Sequence, residues 1–323
     1  MTRRAALAVA GLGLGRPFIG SAHAQEGWPA RVNLLVGFAP GGFADSFARL
    51  LANRLTERLG RTVTVENRAG AGGNIAAGAA AAGPADGSVL LVTTTALAVN
   101  PALYAGRLGY AMDQLLPVAI PAALPELLAT HPSRPSANLA EYLDWARKQP
   151  EITLASGGVG TGSHITAEYF FRQLAGVRAI HVPYRGGAPA VQAAMNGEVD
   201  AVGSSLQGVS QVQTGALRGL AVASAARNPL LPDVPTYEEA GFPDFQASSW
   251  VGVFQPARAG KALAARLSVE VNAAMTDPAL AEPLRRQGHD ITLRDFEATR
   301  AFLDAELDRW GSMVRTIGAT AAD

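Results

Sequence analysis

The chain has 323 residues, with 27 Lys plus Arg against 27 Asp plus Glu, five histidines and no cysteine. It is long enough for two medium α/β domains with real cores. The absence of cysteine excludes disulfides, thiol catalysis, Cys-ligated zinc and a lipobox anchor, and there is no basic excess to bind nucleic acid.

The N-terminus reads as an export signal: Arg3-Arg4, the apolar run Ala5 to Leu14, then Ser21-Ala22-His23-Ala24 before Gln25. Small residues at 22 and 24 fit an A-x-A cleavage site, so residues 1–24 are expected to be removed from a periplasmic protein. Thr2-Arg3-Arg4 with Leu7 leaves twin-arginine export open beside the general route. Arg16-Pro17 interrupts the run before it could serve as a retained membrane helix. Loss of 1–24 removes three arginines and no acid, leaving 24 basic against 27 acidic residues and a net charge of −3.

Val32 to Phe38 is a β-branched and aliphatic run, read as a strand buried on both faces. Pro40 stops it, Gly41-Gly42 offer positive φ, Asp45 is read as a helix N-cap, and Phe47, Leu51, Leu55 and Leu59 form one apolar stripe. Strand, glycine loop and helix N-terminus make an anion cradle of free amides and helix dipole. With no lysine here, and Arg49 and Arg54 beyond the first turn, this cradle binds through backbone dipoles. Gly60 ends the helix, Thr62 to Asn67 is the next strand, and an alanine-rich helix runs from Asn74 to about Ala82. Ser88 to Thr94 is a third buried strand, and short loops imply parallel pairing with right-handed crossovers. Leu115 to His131, punctuated by Pro117, Pro121 and Pro125, reads as strand pieces leaving the first lobe.

A second α/β set starts at Asn138: helix Leu139–Lys148, strand Ile152–Ser156, the loop Gly157 to His164, and a helix from about Ile165 to Ala175. Strands Ala179–Tyr184, Val199–Ser205 and Leu217–Ala223 follow, with a helix to Asn196. Beyond the strand Trp250–Pro256 the chain is helical, over about Lys261–Thr276, Pro278–Gln287 and Asp295–Ile317. Two α/β sets with a helical return imply two lobes crossed twice, with strand C-termini gathered in the cleft between them. The expected division is 25–125 plus 250–323 for lobe 1 and 126–249 for lobe 2.

The loop Gly157 to His164 repeats the anion-cradle logic and adds the hydroxyls of Thr161 and Ser163. It is no dinucleotide fingerprint: the third glycine is misplaced, and Tyr184 stands where an acid is needed. No G-x-S-x-G, P-loop, H-E-x-x-H or calcium loop occurs, so no catalytic residue, metal or cofactor is expected. Asp45 beside an anion cradle would repel an anion, which favours its capping role over contact with a ligand ammonium. His164 either donates to a ligand or satisfies its loop. His181 is read as a core or sheet-end histidine, Asp200 as a local hydrogen-bonding residue, Trp145 and Trp310 as packing residues, and Trp250 as bordering the cleft.

Several stretches, in order, resemble the periplasmic solute-binding proteins of tripartite tricarboxylate transporters, the Bug or TctC-like receptors. They are Phe38 to Gly42 with Asp45 and Arg49; Val65 to Asn74; Gly160 to His164; Val182 to Gly186; and Leu231 to Thr236 with Glu239 to Pro243. The resemblance implies a type II, Venus-flytrap periplasmic-binding-protein fold of α/β class, with two chain crossings between lobes. It implies capture of a small carboxylate (a di- or tricarboxylate, aromatic acid or amino acid) and delivery to membrane permease subunits, by a monomer without catalysis. The implied ligand-binding residues are Phe38, Gly42, Phe43 and Asp45 from one lobe and Ser156, Thr161, Gly162, Ser163 and His164 from the other. A ligand-sensing receptor is the alternative, and an exported α/β hydrolase a further one. Intact mass of the exported protein should show the loss of residues 1–24; a full-length mass in the membrane fraction would contradict the export reading.

Overall fold

A computed structural model describes residues 27–205 and 208–321; the signal sequence expected over 1–24 lies outside the described residues. The first α/β set forms as its pattern requires. Strand β1 (Arg31–Val36) lies between β2 (Thr62–Asn67) and β3 (Val89–Thr94), parallel to both, with Arg31 opposite Thr62 and Asn33 opposite Val89. Helix α1 (Phe43–Leu59) buries Phe47, Leu51, Leu55 and Leu59 against this sheet, an apolar stripe at spacing four. Gly60 closes it in the left-handed conformation, its N–H on the Thr56 carbonyl. Helix α2 (Asn74–Ala81) leads to β3. Helix α3 (Ala96–Leu103) is absent from the sequence reading, because it is only eight residues long and too uniformly apolar to show a helical period.

The proline-rich segment corrects the expectation of separate strand pieces. Residues Leu115–Thr130 are one 16-residue strand, β4. Its prolines are accommodated by letting the ladder slip: the register to β9 (Ser248–Pro256) shifts between Pro117 and Ala119 and again between Ala119 and Ala122. Up to Pro125, β4 pairs with β9, which pairs in turn with β3. From Glu126 it pairs instead with β7 (Ala201–Ser205) and β8 (Arg218–Val222). The chain thus passes between lobes at Pro125–Glu126. It returns at Ala247–Ser248, where the Glu126 N–H donates to the Ala247 carbonyl.

The second set comprises α4 (Leu139–Ala146), β5 (Ile152–Ser156), α5 (Gly162–Tyr169), β6 (Ala179–Pro183), α6 (Gly187–Met195) and α7 (Val209–Gln213), besides β7 and β8. Strand β5 is parallel to β6 and β7. The described strands form one sheet, ordered β2-β1-β3-β9-β4-β7-β5-β6, with β8 and the short β10 (Asp290–Ile291) also on β4. The result is a two-lobed α/β protein crossed twice.

Helices α8 (Lys261–Met275) and α9 (Pro278–Arg286) cover the first lobe, and α10 (Phe296–Ile317) packs on α3, β4 and α5, strapping the two lobes together. Its Glu306 carboxylate accepts both the Trp250 and the Trp310 indole N–H at 2.8 Å, with Arg309 at 2.9 Å. Trp250 is fully buried under this strap rather than bordering the cleft, since its β9 position faces α10.

Candidate functional site

Both glycine loops leave the C-terminal end of a strand and open a helix. In the first, the strand stops two residues short of the expected Phe38, and the turn falls at Pro40 and Gly41. The strand ends at Val36, and only Gly41 takes a positive φ (+82°). Gly42 is extended and is itself the N-cap of α1. Asp45, expected at the cap, is instead the third helical residue and reaches back to accept the Gly41 N–H at 2.8 Å. Its carboxylate also takes Arg49 at 3.0 Å and the Asn67 amide at 2.9 Å. Burial alone would raise its pKa, but hydrogen bonds from Arg49, Gly41 and Asn67, with the Arg49 charge, hold it below the usual range. The pair neutralises itself, and the remaining field at the loop is that of the α1 N-terminus.

Two aromatics flank this loop. The Phe38 ring covers Gly73, and its carbonyl accepts the Asn67 amide at 3.0 Å. Phe43, half-buried, lies 4.8 Å from the ring of His289, whose burial lowers its pKa to about 4.

In the second loop Thr161 is the N-cap of α5. Its hydroxyl accepts the His164 N–H at 3.3 Å, donates to the Gly158 carbonyl at 2.8 Å and lies 3.1 Å from the Ser163 hydroxyl. The amides of Gly162 and Ser163 precede any helical acceptor and point out of the first turn. His164 is fully buried. The Gly160 N–H donates to its Nδ1 at 3.2 Å, which places the ring proton on Nε2, facing Glu168 at 2.8 Å. Nδ1 is therefore engaged in holding the loop, while Nε2 faces Glu168 without a well-formed hydrogen bond. His181 stacks on that ring at 3.8 Å, and its Nε2 lies 2.6 Å from the Ser156 hydroxyl. That contact has the spacing of a nucleophile and base, but the hydroxyl is fully buried and takes the Gly158 N–H. It serves the turn.

Two glycines set how close the lobes come. A Cβ on Gly160 would lie 2.7 Å from Leu103 and 3.1 Å from the Asn100 amide oxygen, both on α3 of the first lobe, at a φ of +78°. A Cβ on Gly162 would lie 2.8 Å from Glu126 Oε1 at the chain crossing. Glu126 accepts the Ser249 hydroxyl at 2.5 Å and the Ser205 hydroxyl at 3.5 Å, while its Oε2 is buried without a hydrogen-bond partner. Burial, only partly offset by those hydroxyls, raises its pKa to about 7.

The structure therefore places Phe38, Gly42, Phe43 and Asp45 around one helix N-terminus, and Ser156, Thr161, Gly162, Ser163 and His164 around another. It adds Glu126, Ser249, Asn100, His181 and His289, which sequence reasoning did not place in the site. One signal was available: Glu126 is the single charge in the sixteen residues of β4. A separate groove of about 600 Å³, lined by Val269, Leu293 and Phe296, lies between α8 and the start of α10 and borders none of these loops.

Residues 47–319 match the model of the tripartite tricarboxylate transporter family receptor, TctC. Protein BugT of Bordetella pertussis is 34% identical over 97% of both chains. Among solved structures, the periplasmic binding protein BugD superposes with a TM-score of 0.82 at 29% identity, covering 91% of this chain and 99% of that one. A Rhodopseudomonas palustris protein, MatC, solved with bound malate, scores 0.80 at 29% identity over 88% and 98%. An R. palustris protein solved with adipate scores 0.83 at 31% identity over 91% and 99%.

Two buried groups give stability opposite pH dependences. The contribution of Glu126 is fully present below its unfolded value near 4.5 and is lost as pH rises through about 7. That of His289 is present above its unfolded 6.5 and lost as pH falls through about 4. Glu126→Gln should therefore gain on wild type by up to about 3 kcal/mol between pH 5 and pH 8. Chemical denaturation at both pH values measures this, and parallel behaviour of the two proteins would contradict the assignment.

Proposed function

Since the chain belongs to the tripartite tricarboxylate transporter receptor family, we propose that it captures a small carboxylate between its two glycine loops and delivers it to the membrane subunits of such a transporter. The observation that supports this reading is that α1 and α5, one in each lobe, both begin at a glycine loop that follows the C-terminal end of a strand. One carboxylate accepts several amide donors, and two such ends supply them without a full countercharge.

In this reading Gly42, Thr161, Gly162 and Ser163 supply backbone and hydroxyl donors, and Phe38 and Phe43 wall the pocket. Asp45, Ser156 and His164 act from behind, by holding the loops in shape. The lobes divide as 25–125 plus 250–323 and 126–249, and residues 1–24 direct export. The protein works as a periplasmic monomer without turnover. No described helix is long and apolar enough to cross a membrane. The malate and adipate found with two relatives make dicarboxylates the first ligands to test.

Thermal-shift and calorimetric titration across malate, adipate and other carboxylates should reveal one or more binders, recovered chemically unchanged. Ser163→Ala should weaken that binding several-fold, as for one hydrogen bond of about 1 kcal/mol, with little change in melting temperature. Thr161→Ala should weaken it similarly but also cost about 1 kcal/mol of stability, because the hydroxyl caps α5. Unaltered binding in both variants would contradict the second cradle, and a panel with no binder would contradict the reading as a whole.

A further inference from the structure

We propose, resting on the carboxylate-capture reading, that Glu126 is a proton site linked to the ligand: the anion seated at the N-terminus of α5 is captured together with one proton, held on the Glu126 carboxyl at the floor of the cleft.

Position comes first. Glu126 sits where β4 changes partner from β9 to β7 and β8, opposite Ser205 at the C-terminal end of β7 and beside Ser249 at the return crossing. It is 2% exposed, and Gly162, the first residue of α5, backs directly onto it. Two hydroxyls share Oε1, and Oε2 is left without a hydrogen-bond partner. A carboxyl this deep, with one oxygen unused, is costly as an anion and is tolerated as the neutral acid.

Among the described residues, no cation is paired with it that would keep it ionised. Strands β9 and β7 present Ser249 and Ser205. The segment after β8 presents Tyr237, a phenol pushed far above its ordinary value by burial and by Glu126 itself. On α5, His164 and Glu168 face each other, with Arg172 on Glu168. On α10, Glu306 is held by Trp250, Trp310 and Arg309. Arg218, at the other end of β8, is spent on the Arg134 and Ser136 carbonyls. The electropositive feature against Glu126 is the N-terminus of α5, the same one the ligand carboxylate needs.

Two anions therefore compete for one helix end, and a proton resolves the competition. The neutral carboxyl leaves the dipole to the ligand, and its hydroxyl turns the unused oxygen into a donor. Burial already places Glu126 near pH 7, and an anion alongside moves it higher. The sign follows from linkage. Below about pH 7 the proton is already present, and affinity does not depend on pH. Above it a proton must be drawn from solvent, so affinity falls by up to about tenfold per pH unit. Reciprocally, loss of that proton favours release.

The test is calorimetry with malate and with adipate at pH 8, in phosphate and in Tris, whose ionisation enthalpies differ, on wild type and on Glu126→Gln. Both ligands are fully ionised at that pH. Wild type should take up close to one proton per ligand and bind roughly tenfold more weakly at pH 8.5 than at 7.5. The variant should take up none and bind with no pH dependence over that range. Binding by wild type without buffer-dependent heat overturns the proposal and leaves the capture reading standing. Uptake that persists in the variant also overturns it, since the proton then lies elsewhere. Absence of binding by either ligand even at pH 6 removes the capture reading and the proposal together. A carbon-13 titration of the Glu126 carboxyl in wild type, free and ligand-loaded, decides the point without a variant: its midpoint should rise on loading, and an unchanged midpoint overturns the assignment.

Discussion

The structure depends on one strand that runs through both lobes of a single sheet. Residues Leu115–Thr130 run unbroken from the first lobe into the second, and every other described strand is joined to them directly or through the strands between. A strand with partners on both edges has no freedom to slide, because a one-residue slip would turn its apolar set to the wrong face. Its register shifts at three places, between Pro117 and Ala119 and between Ala119 and Ala122 against β9 and between Leu128 and Ala129 against β8, and none of them falls at Pro125–Glu126. The crossing itself is thus a defined joint of two backbone passages, and α10 is laid along it through the buried Glu306, Trp250 and Trp310 group. On the capture reading, the lobes open and close over the strand C-termini while this strap holds the crossing.

What that motion brings together is backbone. Each cradle uses its side chains to hold its own shape: Asp45 with Gly41, Arg49 and Asn67; His164 with Gly160; Ser156 with Gly158 and His181. The first-turn amides remain as the available donors. This division makes the loops rigid before any ligand arrives, which lowers the ordering cost of binding. On the capture reading it also leaves ligand identity to the walls, where Phe38 and Phe43 stand, rather than to the anion-holding groups. Receptors sharing one scaffold can in this way differ in cargo.

Much of the fold was legible in the sequence, for definite reasons. Long periodic helices and compact buried strands announce themselves: α1 through its stripe of Phe47, Leu51, Leu55 and Leu59, and β2 and β5 with the bounds expected. The failures share a physical form. Pro117, Pro121 and Pro125 argue locally against a central strand, yet slipped register and the lobe crossing accommodate them within one. Helix α3 is apolar throughout and too short to show a period. Asp45 has the chemistry of a cap, but Gly42 can begin the helix by conformation alone, so the acid serves from inside the first turn. At the site, glycine loops and hydroxyls were visible as local patterns. Glu126, Asn100, Ser249 and His289 were not, because they reach the loops only through pairing and packing across more than thirty residues of sequence. A lone acid in an apolar strand was their one trace.

The account rests on the claim that two helix ends hold one carboxylate. A crystal structure of the protein grown with malate or adipate tests it most directly. The claim predicts ligand carboxylate oxygens within about 2.7–3.2 Å of first-turn amides of α1 and α5, with Ser163 or Thr161 as hydroxyl donor and Glu126 beneath. A carboxylate paired instead with the exposed Arg185, or a ligand lodged in the groove between α8 and α10 with both loops empty, would contradict it.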